Sequence, residues 1–195
     1  CREQLPVWQE FYKNEMVERG DVELLSIAVD FQGADVVRPY VDKANPSFTT
    51  VVDSENVLAR FLGFKALPNG YFLEPGLKLS ESIKGRFDIR NPEILKKTLE
   101  WINNPALYDK DPQESIDESM SSEEQSIFDN GLMLYQKGNV QEAISEWRKV
   151  VSMDPKNWIV RKQVWAIIHP DKFYDAGVDF DWQRLRIESE TTKNS

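Results

Sequence analysis

Apolar residues recur at helical spacing at the start of the chain, where Leu5, Trp8, Phe11, Tyr12 and Met16 form one stripe that Gly20 closes. Pro6 is expected in the second turn of this helix, at the loss of one hydrogen bond. The run from Val22 to Val29 is too continuously apolar for a half-exposed strand and reads as a mostly buried one. Asp30 to Gly33 turns the chain into a helix over roughly 34–43, stopped at Asn45-Pro46. The β-branched segment Thr49-Thr50-Val51-Val52 predicts a short strand. Asp53 or Ser54 then caps a helix over about 55–62 that Gly63 ends. Leu67-Pro68 precedes an apolar strand and is a candidate cis bond. Glu74-Pro75-Gly76 turns a hairpin into residues 77–84, and Asn91-Pro92-Glu93 opens an amphipathic helix with Ile94, Leu95, Leu99, Trp101 and Ile102 inward. Up to about residue 104 the order predicts an α/β layer.

The pattern then breaks. Residues 105–122 hold acids at Asp109, Asp111, Glu114, Asp117 and Glu118 and few apolar side chains, so this stretch reads as a solvated acidic linker. Two helices follow, joined at Gly138-Asn139 and ended at Asp154-Pro155. A third, over 158–168, offers Ile159, Val160, Val164, Trp165 and Ile168 for packing. The segment from Asp171 to Trp182 is rich in aromatic residues and is expected to lie against a surface. Beyond about Ile187 the chain turns polar and is expected to be disordered. The predicted organisation is an α/β layer over 1–104, a linker over 105–122, a small all-α module over 123–169 and a C-terminal tail over 170–195.

Composition narrows the chemistry. The 195 residues carry a net charge of -9, which argues against clustered phosphate contacts, so no nucleic-acid partner is expected. No run of about 18 apolar residues is present to span a membrane. Neither an initiator Met nor a signal peptide is visible, which suggests a processed form or a piece of a longer protein. His169, the only histidine, has no second His or Cys near it in sequence. It reads as a helix end, and no metal or cofactor is expected. Cys1, the only cysteine, opens the first helix. There, unpaired N–H groups and the helix dipole favour a thiolate, the reactive form of the thiol. A small buried residue and a lipidated N-terminal cysteine are the other readings of Cys1.

Cys1-Arg2 and Pro6, the Leu67-Pro68 pair, and Tyr71-Phe72-Leu73 followed by Pro75-Gly76 occur in an order and spacing that resemble the thioredoxin fold. More narrowly, they resemble thiol-disulfide oxidoreductases of the TlpA/ResA type. The resemblance covers a little over half the chain, and Gln4 stands where Glu is common. It implies a Cys-x-x-Cys site with Cys1 as the second, resolving cysteine, Leu67 and Pro68 as substrate contacts, and protein disulfides or dithiols as substrates. It also implies an extracytoplasmic, periplasmic or membrane-tethered setting. The nucleophilic cysteine and the strand before it are not among the 195 residues. The sheet is therefore expected to lack its first strand beside residues 22–29, and the 195-residue chain to be marginally stable or to aggregate.

From about Glu124 to Asn157 the chain resembles one tetratricopeptide repeat, through Ile127, Gly131, Leu134, Tyr135, Gly138, Glu142, Ala143, Ile144, Trp147, Asp154, Pro155 and Asn157. That implies a helical surface for docking a protein partner, or else a stabilising appendage. The readings that stand side by side are a redox enzyme in the intact parent and a thioredoxin-fold binding module without thiol chemistry. A one-cysteine peroxidase is a third, disfavoured because only Arg2 of the usual Thr and Arg partners is close in sequence.

Overall fold

The computed structural model describes residues 2–108, 119–175 and 177–193. Cys1 and most of the predicted linker lie outside the described residues. The chain is a mixed α/β protein with a helical module, and eight α-helices and four strands occur among the described residues.

A 3-10 turn over Arg2–Gln4 leads into α1 (Leu5–Glu15). Pro6 therefore falls in the first turn of the α-helix. Its missing N–H would have had no intrahelical partner there, so the expected loss of a hydrogen bond does not arise. Strand β1 (Leu25–Val29) runs parallel to β2 (Thr49–Asp53), with Leu25 opposite Thr49 and Val29 opposite Asp53. Helix α2 (Ala34–Ala44) connects them, as a parallel pair requires, and Asn45 ends it in the left-handed region at φ 44°. Asp53 caps α3 (Val57–Leu62) by accepting from the N–H groups of Val57 and Leu58 at 2.8 and 2.9 Å. Strands β3 (Gly70–Glu74) and β4 (Lys78–Ile83) form an antiparallel hairpin, and α4 (Pro92–Asn103) follows.

The four strands make two separate two-stranded sheets, and β1 pairs with β2 alone among the described residues. This changes the reading of β1. None of its residues is fully buried and Leu25 is 54% exposed, where a mostly buried strand was expected. A strand with one paired neighbour keeps only part of its surface from water, however apolar its sequence.

Helices α5 (Ser122–Gln136) and α6 (Val140–Met153) form a tight antiparallel hairpin, and α7 (Trp158–Ile168) packs on α6. Ser121 and Glu124 bond reciprocally at the start of α5, which satisfies two N–H groups of its first turn. Gly131 faces the Trp147 ring so closely that a Cβ would collide with the indole. This close approach lets Trp147 bury completely and donate Nε1–H to the Phe128 carbonyl at 3.3 Å. Asn157 is itself buried and caps α7 by accepting from Val160 N–H.

One apolar core runs through both halves. Phe31, Ala59 and Phe64 of the α/β layer pack with Phe128, Leu132, Ile144, Trp147 and Val160 of the helices. The Phe31 ring lies 5.5 Å from Phe128 and 5.1 Å from Trp147. Polar contacts follow the same seam. The Gln163 amide donates to Val29 O at 3.0 Å and accepts from Phe31 N at 2.9 Å. Ile159 N donates to Lys65 O, and Lys65 pairs with Asp154 at 2.6 Å. A second core, of Phe11, Met16, Ile89 and Ile102, sits between α1 and α4.

The C-terminal segment departs from expectation. Helix α8 (Phe180–Lys193) continues through the stretch predicted to be disordered. Glu190 anchors it by accepting from Arg161 at 2.7 Å and from Trp165 Nε1 at 3.0 Å. Those partners lie 29 and 25 residues upstream, so the polarity of the tail alone did not disclose them. Trp182 packs on Trp165, His169 and Phe173, which gives His169 an aromatic neighbourhood. Among the described residues no helix is long and apolar enough to cross a membrane.

Candidate functional site

The start of α1 is held from three sides. Trp8 stacks on Phe87 with ring centroids 5.0 Å apart. Gln9, itself buried, donates to Ser47 Oγ at 2.9 Å and accepts from Ser47 N at 2.6 Å. The Arg2 guanidinium lies 4.3 Å above the Tyr40 ring. Cys1 itself is outside the described residues.

The Leu67–Pro68 bond is cis. Its loop is tied to the segment after β4: Asn69 donates to Ala66 O at 2.8 Å and accepts from Gly85 N at 2.6 Å, while Phe87 N donates to Pro68 O at 3.2 Å. Gly70 makes the fit feasible, because a Cβ there would lie 2.5 Å from Phe87 Cζ. Phe87 thus wedges between α1 and the Pro68 loop. Gln4 and Pro68 line one open cavity of about 440 Å³ with Arg86, Asp88, Arg90 and Asn91. Of the residues singled out by sequence, Pro68 therefore shares a cavity with the helix start that follows Cys1. Leu67 stands beside it, 39% exposed.

Sequence reasoning did not single out Arg86, Asp88 or Arg90. The available signal was Gly85, which with Arg86 takes positive φ (67° and 50°) and turns the chain back toward Pro68. Asp88 and Arg90 form a bidentate pair, with Nε and Nη2 contacts as short as 2.9 and 2.5 Å. The Arg90 hydrogen bond holds the Asp88 carboxyl below the usual carboxylate range. Arg86 is exposed and has no hydrogen-bond or ion-pair partner among the described residues.

A second polar cluster lies at the C-terminal end of β1. Buried Asp30 accepts from Tyr174 Oη at 2.7 Å and from Gln32 N at 3.0 Å. Gln32 Nε2 donates to Tyr174 Oη, and Tyr40 Oη donates to Tyr174 O at 2.7 Å. Burial pushes the Asp30 carboxyl up despite these bonds, and burial beside Asp30 pushes the Tyr174 phenol up as well. The phenol keeps its proton and donates it, so this cluster fastens the tail rather than offering a base.

Among the described residues no three His, Cys, Asp or Glu side chains gather as a metal site would require. No protein-family model matches the chain, and neither a curated protein nor a solved structure matches it.

Proposed function

We propose that the protein works in thiol-disulfide exchange on protein substrates, with a thioredoxin-like α/β layer carrying Cys1 and a tetratricopeptide-type module fused behind it. The observation that carries this reading is the cavity shared by Gln4, three residues after Cys1, and Pro68. A thiolate at the start of α1 would meet an extended substrate segment lying along the Leu67-Pro68 loop, where backbone pairing of the strand-addition kind can hold it. The exchange is an attack of thiolate sulfur on one sulfur of a disulfide, with departure of the other as a thiolate. In the full two-cysteine cycle Cys1 would resolve the mixed disulfide formed by a cysteine three residues earlier in the parent chain. In this reading the chemistry takes place outside the cytoplasm, as the resemblance of the motif implies.

The helical module supports the layer in this reading, since Phe31 and Phe64 are packed into it. The exposed Met133 and Met153 leave apolar surface on its outer side for a protein partner.

The test is the pH dependence of Cys1 alkylation by iodoacetamide in the folded protein. We expect the thiolate to titrate at least about one unit below the free-cysteine value of about 8.5, and the depression to vanish in urea. A titration at or above the free value in the folded protein would leave a binding module without thiol chemistry as the better description.

A further inference from the structure

Helix α7 carries a buried charge whose counter-ion comes from the tail. Arg161 is 8% exposed, and its guanidinium lies 5.2 and 5.9 Å from the ring centroids of Trp158 and Trp165. Its Nη2 donates to the Pro155 carbonyl at 3.0 Å, a neutral acceptor. Its Nε is buried and has no acceptor among the described residues. A cation so placed needs an anion, because a buried charge left alone is strongly destabilising. Glu190 of α8 supplies it. One carboxylate oxygen accepts from Arg161 Nη1 at 2.7 Å and the other from Trp165 Nε1 at 3.0 Å. Arg161 and Trp165 stand one turn apart on the same face of α7, so together they present two N–H donors to a single carboxylate.

The tail helix meets this face along a narrow strip. Trp182, two turns before Glu190, packs edge-on against Trp165 and His169. Asp181, Arg184 and Glu188 are exposed, and so are the apolar Phe180 and Leu185. What α7 reads in α8 is therefore an aromatic ring and, two turns on, a carboxylate.

We propose that Arg161 and Trp165 form a dock for an acidic helix of a protein partner, one that bears an aromatic residue two turns before a Glu, and that α8 fills this dock in cis until such a helix displaces it. The buried guanidinium does not tolerate an empty dock, so one carboxylate is exchanged for another. The tail holds its place by high effective concentration, which the partner helix must overcome. The inference gives the partner of the helical module a chemistry and stands independently of thiol exchange.

The probe is an alanine–glutamine peptide helix carrying one Trp and, two turns later, one Glu; its control has Gln in place of that Glu. Each is titrated into the 195-residue chain while the Trp165 indole N–H resonance is followed. We expect the Glu peptide to move this resonance, and to bind Glu190→Ala at least about tenfold more tightly than the unsubstituted chain, since that variant has lost its cis ligand. The Gln peptide should bind Glu190→Ala about tenfold more weakly than the Glu peptide does. A second measurement needs no variant. In the unsubstituted chain, saturating Glu peptide should speed hydrogen exchange at the Gln183 and Arg186 amides as α8 leaves, and the Gln peptide should not. Equal affinity of the two peptides, equal affinity of the two chains, no binding to Glu190→Ala, or unchanged exchange in α8 overturns the proposal.

Discussion

Asp30 shows how one residue can tie distant parts of a chain together and make their union depend on pH. Its carboxylate is buried and accepts from Tyr174 and Gln32. Burial outweighs those bonds, so its folded pKa is raised above the unfolded value. The folded state then binds the proton more readily than the unfolded chain does, and protonation favours folding. Stability from this group is present below the unfolded pKa of about 3.9 and is lost as pH rises through the raised folded pKa. Asp30→Asn removes the titration. The melting temperature of Asp30→Asn relative to the unsubstituted protein should therefore climb as pH is taken from 4 to 7, as followed by circular dichroism. A difference that stays flat or narrows over that range contradicts the assignment.

At the scale of elements, the α5–α6 hairpin depends on one missing side chain. Gly131 lets the two helices close on Trp147, whose ring is fully buried. In an exposed helix, Gly to Ala would stabilise by about 1 kcal/mol through propensity. Here the added methyl collides with the indole, and overpacking of a closed core costs about 1–3 kcal/mol. Gly131→Ala should accordingly lower the urea midpoint instead of raising it, and Trp147 emission should move to the red as its ring is pushed toward water. A stabilised variant would mean that the hairpin is looser than its packing indicates. The strands follow a different logic. The side chains of β1 are mostly apolar yet none is fully buried, because its only strand partner among the described residues is β2.

On the scale of the whole molecule, the α/β layer and the helical module share a core, so they should unfold together. Phe31 is the residue that most directly joins them, 4% exposed and in ring contact with Phe128 and Trp147. Removal of a buried aromatic side chain costs about 3–5 kcal/mol, a large part of the stability of a protein of ordinary marginality. Phe31→Ala should shift one calorimetric transition to lower temperature, with van't Hoff and calorimetric enthalpies still equal. Two transitions, only one of them moved, would show that the halves fold independently. Fastening at the rim has the same architecture: Gln163 bonds to the end of β1, Lys65 pairs with Asp154, and Tyr174 meets Asp30 and Tyr40.

Local chemistry alone determined much of the element order. Asn45 and Gly63 end helices because each can take the left-handed conformation at the point where it occurs. Asp53 caps a helix because its carboxylate reaches N–H groups four and five residues ahead. Gly138 turns the hairpin at φ 82° for the same conformational reason. Such signals act over one turn of chain, so they are written in the order of residues. The tertiary structure alone decided the rest. Polar α8 holds its helix because Glu190 meets Arg161 and Trp165. The first 3-10 turn moves Pro6 to a harmless position. Arg86 shares a cavity with Pro68, 18 positions earlier, where the next residue, Phe87, bonds through its N–H to Pro68 O. Those outcomes depend on which distant surfaces meet, and a linear pattern of apolar and polar residues does not encode that meeting for polar side chains.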